Sequence, residues 1–232
     1  GGDGRVGAGG LEGDVVALVA DTGALRWTAK VGNEVLAAPV IGQGVVLVRS
    51  IDGRVTAFDA DSGNRLWFWE RETPALSVRG SGSPLLGPGL LFVGSDDGTL
   101  SAISLSDGPS GRPMWAHDAG GPGSVGVGID KVVGTDPKGT VWGLDKATGT
   151  AMWQQDALAR RTVTAPAVQG DYAVVGDYEG YLHWLRLGDG AFAARTKAAG
   201  EAIRAAPVVA DGILLAQSTD GKLSAWRIGD AP

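Results

Sequence analysis

The stretch "GRVTAFDADSGNRLW", residues 53–67, contains two short β-runs joined by a tight turn, and it returns as "GTVWGLDKATGTAMW" at residues 139–153. Apolar and polar residues alternate in the first run, as in a half-buried strand. The turn, "DSG" in one copy and "ATG" in the other, offers a side-chain oxygen to the local backbone and a glycine for a positive φ angle. The second run ends on tryptophan. The two copies therefore predict a repeated all-β unit.

Six equivalent glycines mark six copies of this unit. Each glycine separates two short apolar runs, as expected for a tight turn between antiparallel strands. The six positions, separated by 40, 45, 41, 41 and 41 residues, are Gly13, Gly53, Gly98, Gly139, Gly180 and Gly221. Four short strands in a period of about 41 residues are typical of one blade of a β-propeller. A solenoid of β-units is the competing architecture, which the period and the recurring tryptophan disfavour.

Two further residue types recur at fixed places in the unit. A tryptophan closes the third strand in four successive units, where a large side chain is expected to pack between neighbouring sheets. These tryptophans are Trp27, Trp67, Trp115 and Trp153. A proline precedes the apolar pair of the fourth strand at Pro39, Pro84, Pro166 and Pro207, and one unit has Val125 there instead.

The repeat boundaries predict one propeller domain, residues 1–232, that is incomplete as given. The chain starts inside a unit, with no proline strand ahead of Gly4, and ends after the second strand of the last unit. We expect repeat units to be missing before residue 13 and between about residues 115 and 125. The intact protein is therefore expected to have more blades than the six units visible in this sequence.

Composition disfavours several classes of function. The net charge of −6 and the isoelectric point near 4.9, without a cluster of Lys and Arg, argue against a nucleic-acid-binding protein. No apolar run approaches the roughly 18 residues of a membrane-spanning helix. The absence of cysteine fits either the cytoplasm or the periplasm.

No catalytic residue, metal site or cofactor is predicted. Only two histidines occur, His117 and His183, which disfavours a site built from several histidine ligands. His183 lies in the alternating run "YLHWLRL" and is interpreted as an ordinary strand residue. The pattern Asp59-x-Asp61-x-Gly63 is interpreted as a turn, because a calcium site needs six or more oxygen ligands.

One connection between units departs from the repeat. The stretch "TPALSVRGSGSP", residues 73–84, contains Leu76, Val78 and Arg79 in a connection longer than its counterparts. Two apolar side chains beside an arginine have the composition of a small protein-binding hot spot. In the alternative interpretation, Leu76 and Val78 face inward from an extra strand and Arg79 is solvated at its end.

Three stretches carry a resemblance to a known family. The unit as a whole resembles the PQQ-type propeller repeat, but the chain has none of the cysteines that quinoprotein dehydrogenases use beside their cofactor. "TPALSVRGSGSP", "VVGDYEGYLHWLRLGDGAFAAR" at residues 174–195, and "APVVADGILLAQSTDGKLSAW" at residues 206–226 are similar to the outer-membrane assembly factors of the BamB family. The middle stretch is the most distinctive, because "GDYEGYLHW" departs from the generic repeat.

The resemblance implies a non-enzymatic protein without a cofactor. BamB proteins are eight-bladed periplasmic lipoproteins, held at the inner face of the outer membrane by a lipidated N-terminal cysteine. They bind the POTRA domains of BamA and assist the folding and insertion of outer-membrane proteins. The family contact for BamA corresponds here to Leu76, Val78 and Arg79, with Val78 in place of the usual leucine.

The resemblance also leaves alternatives open. Unfolded outer-membrane protein precursors are a further expected partner, bound by pairing with exposed strand edges, and cross-linkers along the outer strands test this hypothesis. The competing function is a PQQ-dependent dehydrogenase or a PQQ-repeat domain that senses a ligand. Reconstitution with PQQ and calcium distinguishes the enzyme from the scaffold.

Overall fold

The computed structural model describes residues 4–71, 82–95, 97–105, 111–121 and 125–229. Within these ranges the chain forms six antiparallel sheets of three or four strands and no helix. The described part accordingly offers no helical segment able to cross a lipid bilayer. The predicted all-β class and the small antiparallel sheets are confirmed.

The chain divides into two compact units, and the first comprises Gly1–Asp97 with Ser101–Ala116. Three sheets lie in it, except that one end residue each of β10 and β11 belongs to the second unit. The first sheet consists of β1 (Arg5–Gly9), β2 (Asp14–Val19) and β3 (Leu25–Lys30). The second consists of β4 (Val40–Gly42), β5 (Val45–Arg49), β6 (Val55–Asp59) and β7 (Arg65–Trp69). The third consists of β8 (Leu85–Gly87), β9 (Leu90–Gly94), β10 (Leu100–Ser104) and β11 (Arg112–His117).

The second unit comprises Gly98–Leu100 with His117–Pro232 and contains three further sheets. The fourth sheet consists of β12 (Gly126–Val127), β13 (Lys131–Thr135), β14 (Val141–Asp145) and β15 (Ala151–Gln155). The fifth consists of β16 (Ala167–Gln169), β17 (Tyr172–Gly176), β18 (Tyr181–Arg186) and β19 (Phe192–Lys197). The sixth consists of β20 (Val208–Ala210), β21 (Ile213–Gln217) and β22 (Leu223–Arg227).

Strand order decides which loops share an end of each sheet. Within every sheet the strands pair in chain order and antiparallel, so alternate turns lie at opposite ends. The turn with the repeat glycine lies at the same end as the connection that leads from one sheet to the next. We call this the hairpin end. Backbone hydrogen bonds hold the two kinds of loop together there, for example Val31 N to Gly13 O at 2.9 Å and Ala198 N to Gly180 O at 2.9 Å.

The repeated tryptophans join one sheet to the next in both units. In the first unit, Trp27 Nε1 donates to the carbonyl oxygen of Ala60 at 3.1 Å, and a Cβ placed on Gly63 would lie 2.6 Å from the Trp27 ring. Gly63 has φ 74°, so this turn requires glycine both for its backbone angle and for the indole beside it.

The second unit repeats this arrangement. Trp153 Nε1 donates to Leu187 O at 2.7 Å, and a Cβ on Gly190 would lie 2.4 Å from the Trp153 ring. The indole packs with Leu158 and Leu185 in the core between the fourth and fifth sheets. The other two of the four repeat tryptophans lie in the first unit. Trp67 is buried beside Gly111, and the half-buried Trp115 lies 5.9 Å from Phe92 between ring centroids.

Candidate partner-binding site

The predicted contact residues Leu76, Val78 and Arg79 lie outside the described residues. Their connection can be described at its two ends. It joins β7 to β8 over residues 70–84, whereas the counterpart connections span 31–39, 118–125, 156–166 and 198–207. The segment singled out in the sequence therefore belongs to the longest connection between consecutive sheets, and by strand order β7 ends and β8 begins at the hairpin end.

Two arginines fix the ends of this connection. At its start, Arg71 Nε donates to Asp97 Oδ2 at 2.8 Å. At its end, Arg49 is buried and its Nη1 donates to Gly82 O at 3.1 Å. Charge-assisted hydrogen bonds of this kind hold geometry more firmly than neutral ones. A long connection with fixed ends can present a few side chains to a partner without disturbing the sheets.

A second cluster of polar side chains lies at the hairpin end of the fifth sheet. Asp177 is completely buried, and its Oδ1 accepts hydrogen bonds from the backbone nitrogens of Glu179 at 3.0 Å and Tyr181 at 2.9 Å. Its Oδ2 accepts from His183 Nε2 at 2.9 Å and from Arg161 Nη1 at 2.8 Å. Four donors thus satisfy one buried carboxylate, as burial of a charge requires.

The loop that carries Arg161 is held in an unusual backbone conformation. Arg160 has φ 70° and Thr162 has φ 48°, angles that side-chain-bearing residues seldom adopt. The backbone is fixed on both sides, because Arg160 N donates to Lys138 O at 3.2 Å and Tyr178 N donates to Arg161 O at 3.2 Å. Such angles persist only where surrounding contacts determine them, and here they lie on either side of Arg161, whose Nη1 bonds Asp177.

The protonation states of this cluster follow from its burial. Burial raises the pKa of the Asp177 carboxyl, but hydrogen bonds from His183, the Tyr181 backbone and Arg161 outweigh it, and the pKa lies below its usual value. Burial lowers the pKa of His183 despite the neighbouring carboxylate. At neutral pH an ionised Asp177 therefore accepts the Nε2 hydrogen of a neutral imidazole, whose Nδ1 is left as an acceptor.

The sequence did not predict this cluster. His183 does lie in strand β18, as interpreted, but it is also bonded to Asp177, which stands three residues before the repeat glycine Gly180. A signal was available in the spacing, because Asp136, Gly139 and Trp142 hold the same three places in the fourth sheet. The position of Arg161 had no such signal.

Neither the arginines at the ends of the connection 70–84 nor the Asp177 cluster resembles a metal site. No group of three or more His, Cys, Asp or Glu side chains among the described residues is arranged to hold an ion. In the pattern first noted around Asp59, its Oδ1 accepts the backbone N–H groups of Asp61 at 3.1 Å and Ser62 at 2.7 Å. This is the turn that the sequence predicted.

The sequence profile described as outer membrane protein assembly factor BamB matches residues 1–110 and again residues 107–231. The chain belongs to the BamB family. BamB of Xanthomonas campestris is 49% identical over 98% of this chain and 68% of its own length. BamB of Burkholderia pseudomallei is 32% identical over 98% of this chain and 72% of its own length. These relatives are named as outer-membrane protein assembly factors, which agrees with the prediction of a non-enzymatic protein.

Solved structures agree with the propeller fold expected of BamB. The crystal structure of BamB from Moraxella catarrhalis superposes with a TM-score of 0.66, at 24% identity, over 97% of this chain and 82% of that one. A computationally designed protein, Ika8, superposes with a TM-score of 0.81, at 20% identity, over 98% of this chain and 69% of that one. At such identities the likeness concerns the fold alone.

The two BamB relatives are longer than this chain within the aligned region. Their alignments extend over 275 and 277 residues, against 232 residues here. The prediction of units missing before residue 13 and between about residues 115 and 125 stays a prediction, as does a total of eight blades.

Proposed function

We propose that this BamB-family protein is a scaffold and accessory subunit of the machinery that assembles outer-membrane β-barrels, and that it binds the POTRA region of BamA. Its proposed location is the periplasm, at the inner face of the outer membrane, where a lipid anchor would hold the intact form. Family membership along essentially the whole chain carries this proposal. Assistance in folding and insertion of outer-membrane proteins is the proposed consequence of the binding.

The proposed contact is formed by Leu76, Val78 and Arg79 on the connection between β7 and β8. An arginine can bond carboxylates or carbonyls in two directions, while two apolar neighbours exclude water from the contact. The length of this connection and its fixed ends at Arg71 and Arg49 support a role in presenting side chains. The same two apolar residues would otherwise belong to an extra strand of the sheet.

Titration of the chain with the periplasmic region of BamA tests the proposal. We expect Arg79→Ala to weaken binding by about 2 kcal/mol, the level of a hot-spot arginine, while the melting temperature stays unchanged. The matched control is Arg204→Ala, which removes an exposed arginine from the counterpart connection 198–207 and should leave the affinity unchanged.

Two results would contradict this proposal in different ways. A well-folded wild-type chain without affinity for BamA would remove the proposed partner. A loss of binding that only accompanies a loss of folding, in Arg79→Ala or in Leu76→Ser with Val78→Ser, would favour the extra strand over the contact.

A further inference from the structure

A cavity of about 520 Å³ opens beside the Asp177 cluster, entirely within the second unit. Its walls come from the connection 156–166 and from the strands β18 and β19. Its lining includes Ala157, Leu158, Arg161, His183, Phe192 and Arg195. The volume is in the range of sites that hold a small ligand or a few side chains of a partner.

His183 contributes a buried acceptor without a partner. The residue is 2% exposed, and its Nε2 is bonded to Asp177. Its Nδ1 is buried and has no hydrogen-bond partner among the described residues. Buried polar atoms are nearly always paired in native proteins, by protein, water or ligand. Because the Nε2 hydrogen is taken by the carboxylate, Nδ1 is suited to accept a hydrogen from a ligand N–H or O–H.

Two arginines contribute donors on the same cavity. Arg161 uses only Nη1 in its bonds to Asp177 and Glu179. The Arg195 guanidinium lies over the Tyr181 ring, 3.8 Å from the centroid, and its nearest carboxylate oxygen, on Glu179, is 3.8 Å away, beyond hydrogen-bond distance. No hydrogen bond joins Arg195 to any residue that the structure describes. Both side chains therefore keep N–H groups for an incoming acceptor.

The local charge favours an anion. Three cations, Arg161, Arg195 and Lys197, surround two carboxylates, Asp177 and Glu179. With His183 neutral, one positive charge is in excess. The fork of a guanidinium matches two oxygens of a carboxylate, as it also matches two oxygens of a phosphate.

The apolar part of the cavity favours a carboxylate that belongs to a polypeptide over a small free carboxylate. Leu158, Ala157 and Phe192 form an apolar wall next to the arginines. A carboxylate, an adjacent apolar group and an N–H donor occur together in a polypeptide segment with an acidic side chain. A small free carboxylate supplies the anion but neither of the other two.

We propose that this cavity binds an acidic side chain of a polypeptide partner, with Arg195 and Arg161 bonding the carboxylate, His183 Nδ1 accepting a backbone N–H, and Phe192 contacting a neighbouring apolar group. The site is separate in the chain from the connection 70–84 proposed to contact BamA. Its occupation is therefore expected to persist in Arg79→Ala.

Peptide binding monitored by NMR of the folded chain tests this site. The probes are acetyl-Leu-Asp-Leu-amide, its Asn counterpart, and succinate. We expect the Asp peptide to shift the signals of His183 and Phe192 and to bind at least about tenfold more tightly than the Asn peptide, as for a charge-assisted hydrogen bond. Arg195→Gln should weaken the Asp peptide about tenfold and leave the Asn peptide unchanged.

The control variant is Arg186→Gln, which removes an exposed arginine from the neighbouring strand β18, outside the cavity. It should bind the Asp peptide like the wild type. Equal affinity for the Asp and Asn peptides, or an Arg195→Gln variant that binds as well as the wild type, would overturn the proposal. Succinate binding as tightly as the Asp peptide would overturn the assignment to a polypeptide.

Discussion

The fourth and fifth sheets build the same hairpin around aspartates in different surroundings. Asp136 Oδ1 accepts the backbone N–H groups of Lys138 and Thr140, each at 2.9 Å, and its Oδ2 accepts Trp142 Nε1 at 3.3 Å. Asp177 makes the same turn, but His183 and Arg161 supply its outer partners. Asp136 is partly exposed, whereas Asp177 is completely buried. The turn around the aspartate is thus common to these two hairpins, and they differ in the partners of the second carboxylate oxygen, Oδ2.

Replacing the two aspartates gives the largest expected difference between the hairpins. Asp177→Asn removes the charge that compensates the Arg161 guanidinium and turns an amide hydrogen toward donors, so we expect a loss of about 3 kcal/mol in the free energy of unfolding. Asp136→Asn weakens hydrogen bonds at a partly exposed site and should cost about 1 kcal/mol. Urea denaturation of both variants measures this difference. Equal losses would mean that burial of Asp177 adds nothing to the turn.

The repeat glycines of the same hairpins give a smaller difference. Gly180 has φ 82°, and a Cβ there would lie 2.5 Å from both Ala199 O and Glu201 O. Gly139 has φ 90°, and its nearest contact would be Leu158 O at 2.9 Å. Both alanine variants adopt a disfavoured backbone angle, at roughly 1 kcal/mol, and Gly180→Ala should lose about 1 kcal/mol more through overlap with backbone that cannot yield. Thermal unfolding compares them, and a Gly139→Ala variant that is the less stable would contradict the ranking.

The pH dependence of stability is the smallest expected effect. It distinguishes His183 from Trp142, which holds the equivalent place in the fourth sheet but cannot titrate. The pKa of His183 is lowered by burial from its usual 6.5, so the unfolded chain binds the proton more readily than the folded one. Stability is therefore fully present above pH 6.5 and is lost as the pH falls toward the folded pKa. Denaturation between pH 7.5 and 5.5 should show this loss in the wild type.

His183→Gln is the matched variant for this measurement. Glutamine keeps an N–H donor for Asp177 but has no proton to gain in this range, so its stability should fall less between pH 7.5 and 5.5. The other charged groups around the imidazole, Asp177, Glu179, Arg161 and Arg195, are the same in both proteins. Identical pH dependence would exclude His183 as the titrating group.

The sequence was sufficient for the features that the repeat imposes on every sheet. Gly63 and Gly190 recur because a positive φ and a neighbouring indole both forbid a side chain there. Trp27 and Trp153 recur because each fills the same space against the next sheet. Such constraints act at fixed spacing, so comparison of the units along the chain was enough to find Gly63 and the tryptophans. Gly190 and the contact between each of these glycines and an indole came from the structure.

The Asp177 cluster depends on a contact that no repeat encodes. Arg161 comes from the connection 156–166, whose conformation is fixed by bonds to Lys138 and Tyr178 in two different sheets. The alternation around His183 correctly predicted a strand, but alternation says only which face a side chain occupies. It carries no information on which residue of another segment contacts the side chain there. The role of Leu76, Val78 and Arg79 likewise rests on resemblance and remains a proposal.

The joint made by Trp27 with Ala60 O and by Trp153 with Leu187 O has an evolutionary consequence. Each joint uses a main-chain carbonyl and a glycine of the following sheet, so it makes no demand on which particular sheet follows. At these two joints, an in-frame duplication or loss of one repeat of about 41 residues would supply an equivalent carbonyl and glycine. A gene of this kind can gain or lose a whole repeat, and the sheets that become neighbours can form the same contact without further mutation.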